Sequence, residues 1–462
     1  MQLSLLLPLG VVGLVSSFQT LPAPSRPPAV LTAKRKEPRS VSELSELTEK
    51  GLALHQISVR TNGGQVPSHP LKDALWERKH RNSKPKQFGG GQPREDGRKI
   101  GLAIEGGGMR GCVSAGMASM IHYLGLHGSF DAVYGSSAGS LIGSYFVSGQ
   151  MNGSAVYHDI LAEAGPRFLN KRRLAEALGI DSSVLRWLMK GKDDEMERSS
   201  EVISLEFLLE EVVPRIRPLD WQCFWANNAH QPLNVIVSGV QSMASHSLTS
   251  MNGSFDSLEA LANCLKGSML VPGLTGPLMT LPCSDTENGL LDCSDALVFE
   301  PLPYRSAVQD GCTDVLVLRS RPDGKEVLGR RPGVYERLIC SRYFSGLHGA
   351  DHLTDHMVEQ KHLQTYAEDV LALKKSSLEG RSVQVPGGGA GAGMRATLLA
   401  IAPGKGVEEV NQLEMDRGEL LRGCRSGAEA AYQVLATPEM KARRSGVEVH
   451  LLSQRNKETT PL

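Results

Sequence analysis

No apolar run in this chain reaches the roughly 18 to 20 residues that a bilayer-spanning helix needs. An excess of one charge is lacking too. Lys plus Arg number 50 and Asp plus Glu number 50, a formal net charge of zero. That balance argues against a global electrostatic grip on nucleic acid or on an anionic membrane, so no nucleic-acid partner is expected. Cysteine is sparse: the eight positions (112, 223, 264, 283, 293, 312, 340, 424) contain no C-x-x-C pair. Structural zinc and a disulfide framework are therefore poor readings, and buried, reduced thiols are expected. What remains is ordinary globular material. The 462 residues are 40% hydrophobic and 22% charged, enough for one enzyme domain with extensions.

The N-terminus reads as an address. Leu3 to Val15 is a largely apolar run broken by Pro8, and Val15-Ser16-Ser17 suits signal-peptidase cleavage before Phe18. Between residues 18 and 40 five basic side chains (Arg26, Lys34, Arg35, Lys36, Arg39) stand against one acid, Glu37. A signal peptide followed by Phe and a basic, acid-poor stretch resembles the bipartite leader of proteins sent to the plastids of algae with secondary plastids. The boundaries read as a signal peptide at 1–17 and a transit-like segment at 18–40, with plastid delivery expected and secretion or endomembrane residence as the alternative.

Beyond the leader, residues 41–98 read as an N-terminal helix over 42–55 and a polar surface linker over 60–98. The ordered domain is expected over 99–440, with a tail at 441–462. From Lys99 onward strand-like runs (IGLAIE, FDAVYG, LNVIVSGV, DVLVLRS) alternate with helical ones, so an α/β fold with a mostly parallel sheet covered by helices is expected. Residues 385–394 (VPGGGAGAGM) read as a tolerated glycine-rich insertion. Residues 184–189 (VLRWLM) are either an interfacial lid or ordinary helix packing.

Two glycine motifs carry the chemistry. Gly106, Gly108 and Gly111 satisfy G-x-G-x-x-G after a strand, and Asp131 lies twenty residues beyond Gly111, where a dinucleotide fold places its ribose ligand. Yet Asp131 precedes the next apolar run instead of ending it, which argues against that reading. The run ends at Gly135-Ser136-Ser137-Ala138-Gly139, a G-x-S-x-G turn between a strand and a helix. Such an elbow lifts its serine above the sheet. Ser137 is then a nucleophile, and the backbone N–H groups of Gly106, Gly107 and Gly108 are suited to an oxyanion hole.

Ser137 needs a base. His348, His352 and His356 recur at four-residue spacing on one helix face, with His362 further on, but such a face is most often a packing or solvated surface. The acidic alternatives are Asp292 and Asp295 in DCSDALVFEPLP. The order GGGMRG, then G-x-S-x-G about thirty residues on, then Asp before an x-P-x-P segment resembles the patatin-like acyl hydrolases. Gly267-Ser268-Met269-Leu270-Val271-Pro272, DVLVLRSRP and Ile401-Ala402-Pro403 add to the likeness.

The resemblance implies a three-layer fold, a central mostly parallel sheet with helices on both faces. It implies a Ser–Asp dyad without histidine, here Ser137 and Asp295, and an oxyanion loop of Gly106, Gly107 and Gly108. Arg110 either steadies that loop or meets an anionic head group. No cofactor or metal is implied. The substrate would be a membrane glycerolipid, phospholipid or galactolipid, reached by peripheral contact and cleaved through an acyl-enzyme.

Where that family has Asp-Gly, this chain has Asp295-Ala296. That departure motivates an alternative, a catalytically impaired lipid-binding or regulatory protein on the same fold. A nicotinamide-dependent oxidoreductase stands as a third reading on the G-x-G-x-x-G match alone. For the leader, residues 1–40 fused to a fluorescent protein are expected to deliver it to the plastid of an alga with secondary plastids. Fluorescence in the medium or the endomembranes would refute that destination.

Overall fold

The computed structural model describes residues 69–83, 94–150, 153, 155–170, 173, 201–271, 273–286, 288–325, 327, 351–387 and 389–442. The leader, the helix expected over 42–55, the segment 184–189 and His348 lie outside the described residues. Those described belong to one compact unit, Val41–Leu462.

Four short apolar runs form the middle of the sheet: β1 (Ile100–Ile104), β2 (Ala132–Ser136), β3 (Leu233–Gly239) and, later in the chain, β7 (Asp314–Leu318). Every residue of these strands is buried, as expected where both faces of a parallel sheet are covered. Alternation sorts their side chains. Leu102, Ile104, Val133, Val235 and Leu316 enter one core with Met117 and Ile121 of α2 (Gly111–Tyr123), Leu141 of α3 (Ala138–Val147) and Leu420 of a late helix, Arg417–Leu435. Ala103, Tyr134, Ile236, Val315 and Val317 enter another with Tyr304 and Ala307 of Tyr304–Gln309 and Tyr366 and Leu373 of Lys361–Glu379. The result is three layers, helices over both faces of one sheet.

Among the described residues nine strands form this sheet. The remaining strands are β4 (Ala244–Leu248), β5 (Met279–Pro282), β6 (Leu290–Ser294), β8 (Val383–Gln384) and β9 (Arg395–Ile401). The order is β5-β6-β3-β2-β1-β7-β9-β8, with β4 also on β3. β3, β2, β1, β7 and β9 run parallel; β4 and β6 on β3, β5 on β6, and β8 on β9 are antiparallel. Register decides what meets what. Ile104 stands opposite Gly135 on one side and Leu318 on the other. The segments leaving β1, β2 and β7 therefore emerge side by side at the carboxyl edge, where open α/β sheets bind ligands.

The helices α4 (Trp221–Asn228), α5 (Leu258–Ser268), α6 (Tyr304–Gln309), α7 (Asp351–Val358), α8 (Lys361–Glu379) and α9 (Arg417–Leu435) complete the layers. α9 crosses α2 so closely that a Cβ on Gly427 would collide with the Val113 carbonyl oxygen. Residues 385–387 and 389–394 lie between β8 and β9, with Val385 N–H donating to Met394 O at 2.8 Å.

The domain begins earlier than Lys99, which corrects the reading of 60–98 as a surface linker. Residues Pro70–His80 form a helix, α1, with Leu71 and Leu75 fully buried. Its Trp76 indole N–H donates to Leu435 O at 2.8 Å, and Lys72 Nζ to Ala436 O at 2.9 Å, tying α1 to the end of α9. Two of the segment's cations are paired inside the protein instead of facing water. Arg78 and Arg94 converge on the fully buried Asp131 at 2.8 and 2.7 Å, and Ile100 N–H donates to the same carboxylate at 2.7 Å. Asp131 thus sits at the amino end of β2, far along the strand from the Gly-rich loop, and is no ribose ligand.

Removing one member of a buried ion cluster leaves its partners desolvated and unpaired. Asp131→Ala is expected to lower unfolding free energy by about 3–5 kcal/mol in urea titrations. A loss below about 1 kcal/mol would show that Arg78 and Arg94 find water or other acceptors.

Candidate active site

Ser137 occupies the single step between β2 and α3 with φ 53° and ψ −128°, a backbone conformation that non-glycine residues rarely adopt. Hydrogen bonds on both sides hold it there. Its N–H donates to Ser268 Oγ at 2.9 Å, and Ser268 Oγ donates in turn to Ile236 O at 2.5 Å. Its carbonyl accepts from Ser140 N–H at 2.9 Å and Ser140 Oγ at 2.5 Å. Next to it Ser136 Oγ donates to Glu300 O at 2.7 Å. A side chain at Gly139 would strike the Ile104 carbonyl, so α3 can start flush against β1 only with glycine there.

The acid arrives by register. Ser136 pairs with Ile236 across the β2–β3 ladder, and Ser294 pairs with Ser238 across the β3–β6 ladder. One residue further along each strand, Ser137 and Asp295 extrapolate to the same level of β3, at Val237. Ser137 Oγ donates to Asp295 Oδ2 at 2.7 Å, and Leu297 N–H donates to the other oxygen at 2.8 Å. Asp295 caps a 3-10 turn, Ala296–Val298, and Ala296 has no positive φ, so this turn does not require the glycine found in the resembling family. Burial pushes the Asp295 carboxyl up to about 7, with the bonds from Leu297 and Ser137 pulling the other way. The rival acid, Asp292, lies three residues back on β6 and is engaged elsewhere, by Thr280 Oγ1 at 2.5 Å and Gln241 Nε2 at 3.1 Å.

Gly106, Gly107 and Gly108 follow β1 and lie against the elbow: a Cβ on Gly106 would stand 2.8 Å from the Ser137 Cβ. Gly107 and Gly108 have φ of 128° and 59°. Glu105 N–H donates to Leu318 O and Met109 N–H to Gln412 O, at 3.0 and 2.9 Å. Between them, the three glycine N–H groups donate to no acceptor among the described residues.

Arg110 stands behind this loop. Its Nε donates to Ser320 Oγ at 3.1 Å and its Nη1 to Glu409 at 2.8 Å, while Ser320 Oγ donates to Gly106 O at 2.8 Å. Of the two expectations for Arg110, the geometry is that of a loop brace. Glu105 completes the brace by accepting from Ser320 N–H at 2.5 Å and Tyr366 OH at 3.0 Å.

Over the serine lies a cavity of about 460 Å³, within the range of small-molecule sites. Ser137, Asp295 and the three glycines form its polar part, and Leu141, Phe168, Leu205, Leu208 and Met269 are among its apolar walls. Several walls come from around two π-helical segments, Val156–Leu161 and Phe207–Ile216, which carry no motif. Ser320, Glu105 and Ser268 likewise escape sequence reasoning as supports, although Ser268 falls inside a segment that carried the family likeness. The described histidines of this set do not converge on Ser137. His352 and His356 share α7, as their spacing predicts, and His362 follows on α8 beyond Gln360, which is in the left-handed region; His352 is exposed, and the His356 ring nitrogen lies 3.1 Å from Val298 O. His362 lines the cavity.

A serine hydroxyl bonded to a carboxylate, beside unengaged N–H donors and under an apolar cavity, is equipped for acyl transfer. Residues 102–308 match the family model described as patatin-like phospholipase, an interval containing the glycine loop, Ser137 and Asp295. Among solved structures the chain is similar to VipD from Legionella pneumophila, with 12% identity, 76% of this chain and 70% of that chain covered, and a TM-score of 0.31. No curated protein matches the chain.

The raised Asp295 carboxyl gives a signed pH dependence. Its unfolded value is near 4, so between about 4 and about 7 the folded protein binds the extra proton. The stabilisation from this group is complete below the unfolded value and is lost as pH rises through about 7. Asp295→Asn is therefore expected to melt above the parent at pH 8 and close to it at pH 4. In the parent, labelling of Ser137 by a fluorophosphonate should accelerate with pH around a midpoint near 7. A labelling rate flat between pH 5 and 9 would remove Asp295 as the base.

Proposed function

We propose that this chain, which carries a patatin-like phospholipase domain over residues 102–308, is a serine lipid acyl hydrolase that cleaves fatty-acid esters of membrane glycerolipids with a Ser137–Asp295 dyad. The family supports lipid acyl hydrolysis in general. The observation that carries the finer reading is the 2.7 Å bond from Ser137 Oγ to Asp295 on the wall of an apolar cavity.

In the first half-reaction Asp295 Oδ2 takes the Ser137 proton as Oγ bonds to the ester carbonyl carbon. The electron pair displaced onto the carbonyl oxygen meets the N–H groups of Gly106, Gly107 and Gly108, each such donor being worth about 2.7–4 kcal/mol in the transition state. Collapse breaks the bond to the glycerol oxygen, which takes the proton from Asp295 and leaves. A water that gives its proton to Asp295 then attacks the acyl-serine. Loss of the fatty acid returns that proton to Ser137. Arg110 acts on this chemistry through the loop it braces. Peripheral contact with the lipid surface and a plastid destination belong to the same proposal, the latter resting on residues 1–40.

Two other readings have less support. Catalytic impairment was motivated by Ala296, and the turn at Asp295 presents its carboxylate without a glycine. Dinucleotide binding needs an acid near the Gly-rich turn, and Asp131 is enclosed between Arg78 and Arg94.

Release of free fatty acid from mixed micelles of phospholipid and galactolipid tests the proposal. Ser137→Ala and Asp295→Asn are expected to lower kcat by about 10²–10⁴-fold or more, with Asp292→Asn close to the parent. A folded parent that releases nothing from any ester and takes no fluorophosphonate would overturn it.

A further inference from the structure

A second, smaller cavity of about 40 Å³ adjoins the catalytic one, and Arg321 and Tyr366 line both. Water-sized sites need about 10–15 Å³ on this measure, so it has room for a small polyatomic ion and not for an acyl chain. Of the ten described residues that line it, four are cationic, Arg319, Arg321, Lys325 and Lys374, and none is acidic. They come from the segment leaving β7 and from α8.

Among the described residues three nearby acids, Asp323, Glu409 and Glu105, face five cations, these four and Arg110. Asp323 pairs with Arg319 at 2.7 Å and reaches Lys374 only at 3.5 Å. Glu409 is shared between Arg321 at 3.0 Å and Arg110 at 2.8 Å. Arg319 is 3% exposed, and its Nε is buried and donates to no acceptor among the described residues. A buried guanidinium donor left unmade costs free energy that a bound anion recovers. Like-charged side chains gathered around one small cavity also repel each other until a counter-charge enters.

We propose that this cavity is a site for a phosphate-type oxyanion, set beside the acyl cavity so that the phosphate of a glycerophospholipid occupies it while the ester reaches Ser137. The inference deepens the lipid hydrolase reading, because it favours phospholipid over the uncharged galactolipid. The oxyanion chemistry would equally suit free inorganic phosphate, and the two sources are separable.

The test uses the full chain and two double variants. Lys325→Gln with Lys374→Gln removes the two cations that lie outside the catalytic loop brace; Lys325→Arg with Lys374→Arg keeps the charge. Inorganic phosphate is titrated by calorimetry against chloride at equal ionic strength, in a Ser137→Ala background so that turnover plays no part. Saturable binding in the parent background, weakened about tenfold or more by Gln and restored by Arg, is expected. Independently, kcat/KM on phosphatidylglycerol micelles should fall about tenfold in the Gln variant while that on monogalactosyl diacylglycerol stays near the parent value.

If phosphate binding behaves as expected but both lipids respond alike, the site stands and its ligand is the free anion. If phosphate does not bind, or binds equally to the Gln variant with its melting temperature unchanged, the proposal is overturned. Failure of the hydrolase reading would show instead as no ester cleavage by the parent, which leaves the phosphate titration unaffected.

Discussion

A carboxyl group with almost no exposed surface has to be satisfied by the protein itself, and Asp295 is satisfied by two donors, Ser137 Oγ and Leu297 N–H. Desolvation destabilises its anion, which is why it sits near neutrality instead of near 4. The same desolvation makes it a stronger base toward a serine than an exposed carboxylate could be. Everything around the site serves to hold that arrangement. The β2–β3 and β3–β6 registers bring the two residues to one level, and Ser268 and Ser140 fix the strained backbone of Ser137. The Arg110–Ser320–Gly106 chain keeps the glycine loop against the elbow.

The glycine loop and the elbow were legible in the sequence because each is a local event. A strand followed by glycines that must take positive φ, and a strand–Ser–helix step with small neighbours, leave their marks within a few residues. Their partnership was legible as well, since successive βα units of a parallel sheet lie side by side, and Ile104 does face Gly135. Asp295 is a different case. It reaches Ser137 from an antiparallel strand 158 positions away. Nothing local separates it from Asp292, and only the likeness to a family chose between them.

Supports that act through tertiary contact left no sequence signal. Ser320 and Glu105 look like ordinary residues at strand ends, and the cavity walls from Phe168 to Leu208 belong to irregular helical segments. α1 was concealed by composition. A stretch read as solvated because it is rich in basic residues instead spends two of them, Arg78 and Arg94, on Asp131, Asp96 and backbone carbonyls. Hydropathy averages cannot distinguish a cation in water from a cation in a buried pair.

The same failure of averaging bears on substrate recognition. A chain with 50 cationic and 50 anionic side chains has no net field to draw it to an anionic surface. At the range of a bound head group, however, recognition depends on the few charges within a Debye length, about 8–10 Å in physiological salt, and inside a pocket on fewer still. The segment leaving β7 supplies Arg319 and Arg321 at the very edge where the catalytic loops emerge, and α8 supplies Lys374 across from them. Zero net charge removes long-range steering. It places no limit on a local site at which, among the described residues, cations outnumber acids, as the proposed oxyanion site requires.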